Sequence, residues 1–280
     1  MRILVTGGSG YLGTHVRRFF SADDFSRHSN LDVLNPRDAG KLVNYDVVIH
    51  LAAHLDKQSD ASDLCFRTNA EGTLNLIRNM QPGSVFIYAS TKDVYGRHAD
   101  SNSDVTENCP TDYCGQSGLE WSKLIGERYV DYYAARQKVR ACIFRMSAVY
   151  ARPTTGNENG FVTHYVESVK HGLSIRLPAG GDPVRDILYV DDLSRACQAF
   201  IDSSRTAGLY NLGGGHHNAA GLREIIKRVG KLIDLQPVIK EDPTLPLPVP
   251  LNYVSDLTRI GDELGWQPQT GIDEGLRNLL

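Results

Sequence analysis

Short apolar runs alternate along the chain with stretches whose apolar residues recur at helical spacing. Ile3-Leu4-Val5, Val47-Val48-Ile49, Val85-Phe86-Ile87 and Cys142-Ile143-Phe144 contain no polar residue. That is the mark of strands buried on both faces of a parallel sheet. Between them, Leu12, Val16, Phe19 and Phe20 follow a helical repeat; Leu74 shares a face with Ile77, and Leu124 with Tyr132 two turns on. The βαβα alternation predicts an α/β fold, a Rossmann-like doubly wound parallel sheet.

After Tyr150 the rhythm changes. Turn signals at Arg152-Pro153, Gly156-Asn157 and Ala179-Gly180-Gly181 surround one helical stretch, Val162 to Lys170. Residues 184–212 return to a strand-and-helix pattern, with Asp191 or Asp192 placed to N-cap the helix carrying Leu193, Ala196 and Phe200. Four prolines within 241–250 exclude a helix and predict an extended crossing. The expected division is one domain of residues 1–150 and 184–212, with a smaller one of 151–183 and 213–280.

The chain has 280 residues, with 30 Lys plus Arg against 33 Asp plus Glu, a net charge of −3. This excludes a basic field for nucleic acid, and no apolar run approaches the length of a membrane span. Only Ile3-Leu4-Val5 is apolar before Thr6-Gly7-Gly8, far short of a signal peptide's core. Five cysteines without a C-x-x-C read as reduced thiols in a cytoplasmic protein.

The strongest chemical signal follows the first strand. Thr6-Gly7-Gly8-Ser9-Gly10-Tyr11-Leu12-Gly13 puts glycines at 7, 10 and 13, immediately before a helix. Gly7 permits a tight turn, Gly10 lets a pyrophosphate approach the backbone, and Gly13 lets helix and strand pack closely; the helix N-terminus faces the phosphates.

TGGSGYLG, DVVIHLAA (46–53), NAEGTLNL (69–76), YASTKDVYG (88–96), SKLIGE (122–127), VRDILYVDD (184–192) and the closing LGWQP (264–268) stand in the order found in extended short-chain dehydrogenases/reductases. The chain resembles that superfamily's nucleotide-sugar epimerases, dehydratases and 4-keto reductases. The resemblance implies an NAD(P)-dependent enzyme that transfers hydride on a nucleotide-activated sugar or a similar hydroxylated substrate. It also implies a cytoplasmic homodimer, paired through the helix that carries Lys123, with Trp121 and Tyr129 on the dimer face or in the core.

Residue by residue, the resemblance gives Asp32 a contact with the adenine and sets Leu51, Ala52 and Ala53 beside the ribose. Asn69 falls near the cofactor, and Tyr11 and Leu12 belong to the glycine loop. An NAD enzyme usually ends its second strand, here near 24–27, with a carboxylate that holds the ribose 2′-OH. Counting back from Asp32, that place falls on Arg27 among serines, which favours NADP(H) over NAD(H). Thr91 matches the hydroxyl that donates to the reacting oxygen. Lys92 and Asp93 stand where the 4,6-dehydratases carry an Asp-Glu pair, and only Asp93 keeps a carboxylate.

The family's base is the Tyr of Y-x-x-x-K. Taking Lys123 as the Lys, Leu119 occupies the Tyr place and has no proton to exchange. Ser117 and Glu120 form a capping box, so the helix starts there and Tyr113 lies in the loop before it. Three readings stay open: Tyr113 serves from the loop, another group such as Asp93 serves, or hydride chemistry is lost. In the last case the chain is a catalytically silent dinucleotide-binding sensor or partner subunit.

Arg185 resembles the family Arg near the sugar nucleotide; the competing reading is a buried pair with Asp186. A second Arg for the pyrophosphate is missing from the proline-rich stretch, and the next is Arg259. His216-His217 lack the spacing of a metal site, and no metal is expected. Cys109 and Cys114 flank a loop near the cleft, where a thiol without a depressed pKa is inert.

Overall fold

The computed structural model describes residues 1–154, 160–178 and 182–280. The turns at Gly156-Asn157 and Ala179-Gly180-Gly181 lie outside the described residues. The strands are β1 (Ile3–Thr6), β2 (Asp23–Phe25), β3 (Val47–His50), β4 (Val85–Thr91), β5 (Arg140–Met146), β6 (Ala148–Tyr150), β7 (Ser174–Pro178), β8 (Val184–Tyr189), β9 (Ala207–Leu212), β10 (Ala219–Gly221) and β11 (Val238–Asp242). The helices are α1 (Tyr11–Phe20), α2 (Pro36–Ala39), α3 (Ser62–Cys65), α4 (Gly72–Ile77), α5 (Gly118–Gln137), α6 (Phe161–Lys170), α7 (Val190–Asp202), α8 (Leu222–Ile233), α9 (Thr258–Leu264) and α10 (Ile272–Arg277).

The main sheet runs β2-β1-β3-β4-β5-β9, and every pairing is parallel. Its order reverses between β1 and β3, and such a switch point opens a crevice at the carboxyl ends of the strands. The predicted runs are all strands of this sheet. Val5, Ile49, Ile87 and Phe144 pack into a core on one face; Leu4, Val48, Phe86 and Ile143 pack on the other. With both faces buried, the runs need no polar alternation.

Residues 184–212 contribute to two sheets. β8 pairs with β6 and β10 in a second, three-stranded sheet, and only β9 rejoins the main sheet. An apolar run specifies a strand but not its neighbour. One hydrophobic core runs from Ile3 through Val162, Ile175 and Ile225 to Leu279, so both parts share it. β7 and β11 form a separate parallel pair, which takes up the start of the proline-rich stretch.

Local expectations fare unevenly. The 3.6-residue pattern places α1 and α6, yet Phe19 and Tyr132 are exposed, so neither joins the core face assigned to it. The N-cap of α7 is Tyr189, and Asp191 and Asp192 fall inside the first turn. The buried Asp192 carboxylate instead accepts from the main-chain N–H of Gln269 (2.8 Å) and Thr270 (3.0 Å) and pairs with Arg195. Trp121 and Tyr129 are half-buried. All five cysteines are free, and no helix among the described residues is long and apolar enough to cross a membrane.

Candidate active site

At the switch point a cavity of about 950 Å³ opens between the loop after β1 and the loop after β3. Gly7, Gly10, Tyr11, Leu12 and Gly13 line one side, and Leu51, Ala52 and Ala53 the other. Gly7 adopts φ +67°, and a Cβ there would stand 2.9 Å from the Ala52 backbone. A Cβ on Gly13 would strike the Gly7 carbonyl. Glycine is required at both places because the two loops and α1 meet through bare main chain. The turn is closed by Gly10 N–H donating to Gly7 O (2.9 Å), and α1 starts directly behind it. The Tyr11 hydroxyl lies 2.7 Å from the Thr163 hydroxyl, which ties the glycine loop to α6.

Buried polar groups brace the floor. The Thr6 hydroxyl accepts from Ala52 N–H (3.1 Å) and lies 2.6 Å from His50 Nδ1; His50 Nε2 lies 2.9 Å from the Thr73 hydroxyl, which donates to Asn69 O. Burial, with the Lys123 charge adding to it, pushes the His50 imidazole down to about 3. Asn69 is fully buried and does not line the cavity. Its side-chain amide binds both the N–H and the C=O of His54, so it shapes the cavity wall at one remove. It sits in a π-helical turn, Phe66–Glu71, between α3 and α4.

At the far end the cavity meets Ser26, Arg27 and Asp32. β2 ends at Phe25, so Arg27 falls just beyond the strand rather than within it. It is largely exposed and stands 3.7 Å from Asp32. Asp24 lies within β2, accepts from the Ser26 hydroxyl (2.8 Å), and has a buried Oδ1 without a partner.

A second cavity of about 520 Å³ adjoins the first. Lys57, Thr91, Asp93 and Ser147 border both. Thr91 ends β4, and its hydroxyl accepts from Asp93 N–H (3.2 Å), so the strand-end cap and the cleft-facing position coexist. Burial works against the charge of Asp93, but the Lys92 and Lys57 ammonium groups outweigh it and hold the carboxyl well below the usual range. Lys92 is buried, lines only the second cavity, and sits 5.2 Å above the Tyr253 ring. Burial lowers its pKa in spite of Asp93.

Arg185 lines the second cavity but does not pair with Asp186. Its guanidinium donates to the carbonyls of Val184 (2.7 Å), Pro250 (2.9 Å) and Leu251 (2.7 Å). Asp186 is taken by Ser147 and by the N–H groups of Gly215 and Ser255. Pro246 to Val249 complete the wall.

The helix behind the seam starts as expected. Ser117 caps α5, and Glu120 closes the capping box. Leu119 lines the first cavity with an apolar side chain. Lys123 is buried in the same wall; its ammonium donates to Ala89 O (2.7 Å) and lies 5.1 Å over the Tyr88 ring, and burial lowers its pKa to about 8. It makes no helical pair with Glu127, whose carboxylate binds Arg145 and Ser90. Tyr113 is 71% exposed and lines neither cavity. The structure therefore does not bring it to the cleft, because the loop turns its ring outward before α5 begins. His216 pairs with Asp104 (2.5 Å), away from both cavities, and burial pushes the Cys109 thiol up. Arg259 reaches Glu107 and Asn108.

The profile of the "NAD dependent epimerase/dehydratase family" matches residues 3–213. The chain belongs to that family. Among curated relatives, it is 28% identical over 313 residues to a dTDP-glucose 4,6-dehydratase of Mycobacterium tuberculosis, covering all of this chain and 92% of that protein. It is 25% identical over 338 residues to a CDP-paratose 2-epimerase of Salmonella typhi, covering all of this chain and 98% of that one. The solved Thermus thermophilus UDP-glucose 4-epimerase, a complex with NAD, superposes with a TM-score of 0.83 at 23% identity, over all of this chain and 97% of the other. RMD from Pseudomonas aeruginosa, complexed with NADPH, does so at 0.81 and 23%, over all of this chain and 98% of the other. These two likenesses show the fold.

The first cavity fits the family's nicotinamide dinucleotide. Bare glycine backbone, a helix N-terminus behind it and a long apolar slot meet the needs of a diphosphate flanked by two rings. Sequence reasoning missed Lys57 and His54, which fall in no recognised motif, and read Glu120 only as a cap residue; each reaches the site from a loop or cap position that only the fold brings near.

Proposed function

We propose that the chain transfers hydride between a nicotinamide dinucleotide and a carbon of a nucleotide-activated sugar, as a reductase, epimerase or dehydratase. The observation that carries this is the junction of the two cavities at Thr91. The large cavity, with its glycine loop, holds the dinucleotide, and the smaller one, with Arg185, takes the sugar. Thr91 offers its hydroxyl hydrogen to the reacting oxygen, since its lone pair already receives Asp93 N–H. Lys123 stands behind the nicotinamide end and braces the wall through Ala89 O. Asp32 and Arg27 meet the adenosine end.

For the dinucleotide, Ser26 and Arg27 favour the 2′-phosphate of NADP(H), because guanidinium and hydroxyl donors bind phosphate. Asp24 supports the second reading, NAD(H), because its carboxylate stands one residue before the end of β2 and is joined to the cavity-lining Ser26, near where an NAD enzyme holds the ribose hydroxyl. A homodimer through α5 and a cytoplasmic location follow from the same family reading.

The test is turnover with NADPH or NADH across dTDP-, CDP- and UDP-linked 4-keto sugars, followed by the loss of dihydronicotinamide absorbance. The reading expects oxidation of the dinucleotide with at least one of them. Binding of dinucleotide without absorbance loss on any, and without epimerised or dehydrated product by NMR of the parent dTDP-, CDP- and UDP-sugars, would favour the silent binding protein.

A further inference from the structure

The site has a dinucleotide cavity and a substrate cavity, but Leu119 brings no proton to it and Tyr113 stays outside. The titratable groups at the seam decide what can replace the missing base. Three lysines approach it. Lys123 lines only the first cavity, and Lys92 lines only the second. Among the described residues, Lys57 is the one ammonium that borders both.

Lys57 comes from the loop after β3. Its Nζ donates to Asp93 Oδ2 (2.7 Å) and Glu120 Oε1 (2.8 Å). Glu120 is itself fixed, because its Oε2 accepts from Ser117 N–H (2.7 Å) and the Ser117 hydroxyl (2.6 Å). Asp93 is fixed by Lys92 and by its own N–H on Thr91. The two carboxylates hold the ammonium on α5's first turn and on the β4 strand end, and they use two of its three N–H bonds. The third N–H is free to meet an oxygen in the seam. The Lys57 side chain is half exposed, so a proton given up is replaced from water.

We propose that Lys57 is the proton-transferring residue of this site, acting on the substrate oxygen that Thr91 also holds. This rests on the reading under Proposed function. In the reducing direction a ketone carbon receives hydride from the reduced dinucleotide. As it does so, Lys57 Nζ gives one proton to the ketone oxygen. The N–H bond breaks and an O–H bond forms; the ketone is reduced to the alcohol and the dinucleotide is oxidised. Lys57 is left as an amine between Asp93 and Glu120 and regains its proton from solvent. Asp93 does not take this part, because its carboxyl holds no proton at neutral pH.

Burial works against the charge on Lys57, but Asp93 and Glu120 outweigh it and raise its pKa above the ordinary lysine value of 10.5. With Lys92 and Arg185 as the other cations facing this cluster, Lys57 rests as a donor. Reduction therefore holds its rate through neutral pH and declines only on the alkaline side.

The experiment compares wild type, Lys57→Met and Lys57→Arg. Turnover on the 4-keto sugar panel and calorimetric binding of NADPH and UDP-glucose are measured for each. NMR of the lysine ammonium groups is recorded in wild type, with Lys57 assigned by its loss in Lys57→Met. Lys57→Met is expected to bind both ligands as wild type does and to lose about 10²–10⁴-fold in kcat. Lys57→Arg keeps the two ion pairs, but its guanidinium does not give up a proton, so it is expected to recover stability and not kcat. The Lys57 resonance is expected to move when UDP-glucose is added to the dinucleotide complex.

Rescue of kcat by arginine would overturn the proposal and make Lys57 a structural tie. So would wild-type turnover in Lys57→Met, or an ammonium signal that ignores the sugar nucleotide. If wild type binds both ligands and moves the signal but turns nothing over, the hydride reaction itself falls, and proton transfer with it.

Discussion

The cavity beside the glycine loop and the cavity beneath the proline-rich stretch are held together by different forces. The first is shaped by main chain. Gly7 N–H donates to Phe25 O and Gly10 N–H to Gly7 O, and the strand ends beneath are pinned by neutral hydrogen bonds through Thr6, His50 and Thr73. The second is shaped by charge: ion pairs join Lys57, the adjacent Lys92 and Asp93, and Glu120 from three segments, and Arg185 ties a fourth to the proline-rich stretch through its carbonyls. A main-chain cradle suits a ligand part that never varies, such as a diphosphate. A side-chain cavity is where one fold changes its substrate.

The largest expected effect lies under the seam. Arg145 and Glu127 form a buried ion pair (2.7 Å) that also receives the Ser90 hydroxyl, directly behind the strand end carrying Thr91. Arg145→Met leaves Glu127 buried and uncompensated and is expected to cost about 3–5 kcal/mol in urea unfolding. A loss below about 1 kcal/mol would mean that charge does not hold this floor.

The floor of the dinucleotide cavity responds to acid instead. His50 is neutral when folded, with its pKa lowered from 6.5 to about 3. Its contribution is complete above pH 6.5 and is lost as pH falls toward 3, because the unfolded chain then binds a proton that the folded chain refuses. The slope is about 1.4 kcal/mol per pH unit, roughly 2 kcal/mol by about pH 5. Urea midpoints across this range, with and without His50→Gln, measure it; an unchanged slope in the variant would assign the acid loss elsewhere.

Gly7→Ala tests the cradle itself. The φ of +67° strains any side chain, and the Cβ meets Ala52. The expected cost is about 1–2 kcal/mol, together with weaker dinucleotide binding by calorimetry. Wild-type affinity in this variant would show that the two loops can part without harm.

The smallest effect is expected at Tyr113, which both cavities leave outside. Tyr113→Phe should change stability by less than about 0.5 kcal/mol and leave turnover intact. A large fall in kcat would return the ring to the cleft and revive the loop-base reading.

The same contrast explains what the sequence made legible. Strands β1, β3, β4 and β5, the glycine loop and the Ser117–Glu120 cap are written in neighbouring residues, so local pattern places them, while Thr91 comes from the family resemblance. β8 looks like one more strand of the main sheet because pairing partners leave no local trace. Asn69 is buried and works through His54, while Arg185 turns to carbonyls of the distant proline-rich stretch instead of its neighbour Asp186. Lys57 is one ordinary lysine in a loop until folding sets Asp93 and Glu120 against it.

All of this chemistry depends on a nicotinamide dinucleotide held in the glycine-loop cavity. Titration of the purified protein with NADPH and with NADH, read by thermal unfolding, tests it most directly. At about 100 times the dissociation constant the ligand should stabilise the fold by roughly 2.7 kcal/mol, with NADPH effective at lower concentration than NADH. Protein freed of any bound dinucleotide and unaffected by either ligand would mean that this cavity does not hold one.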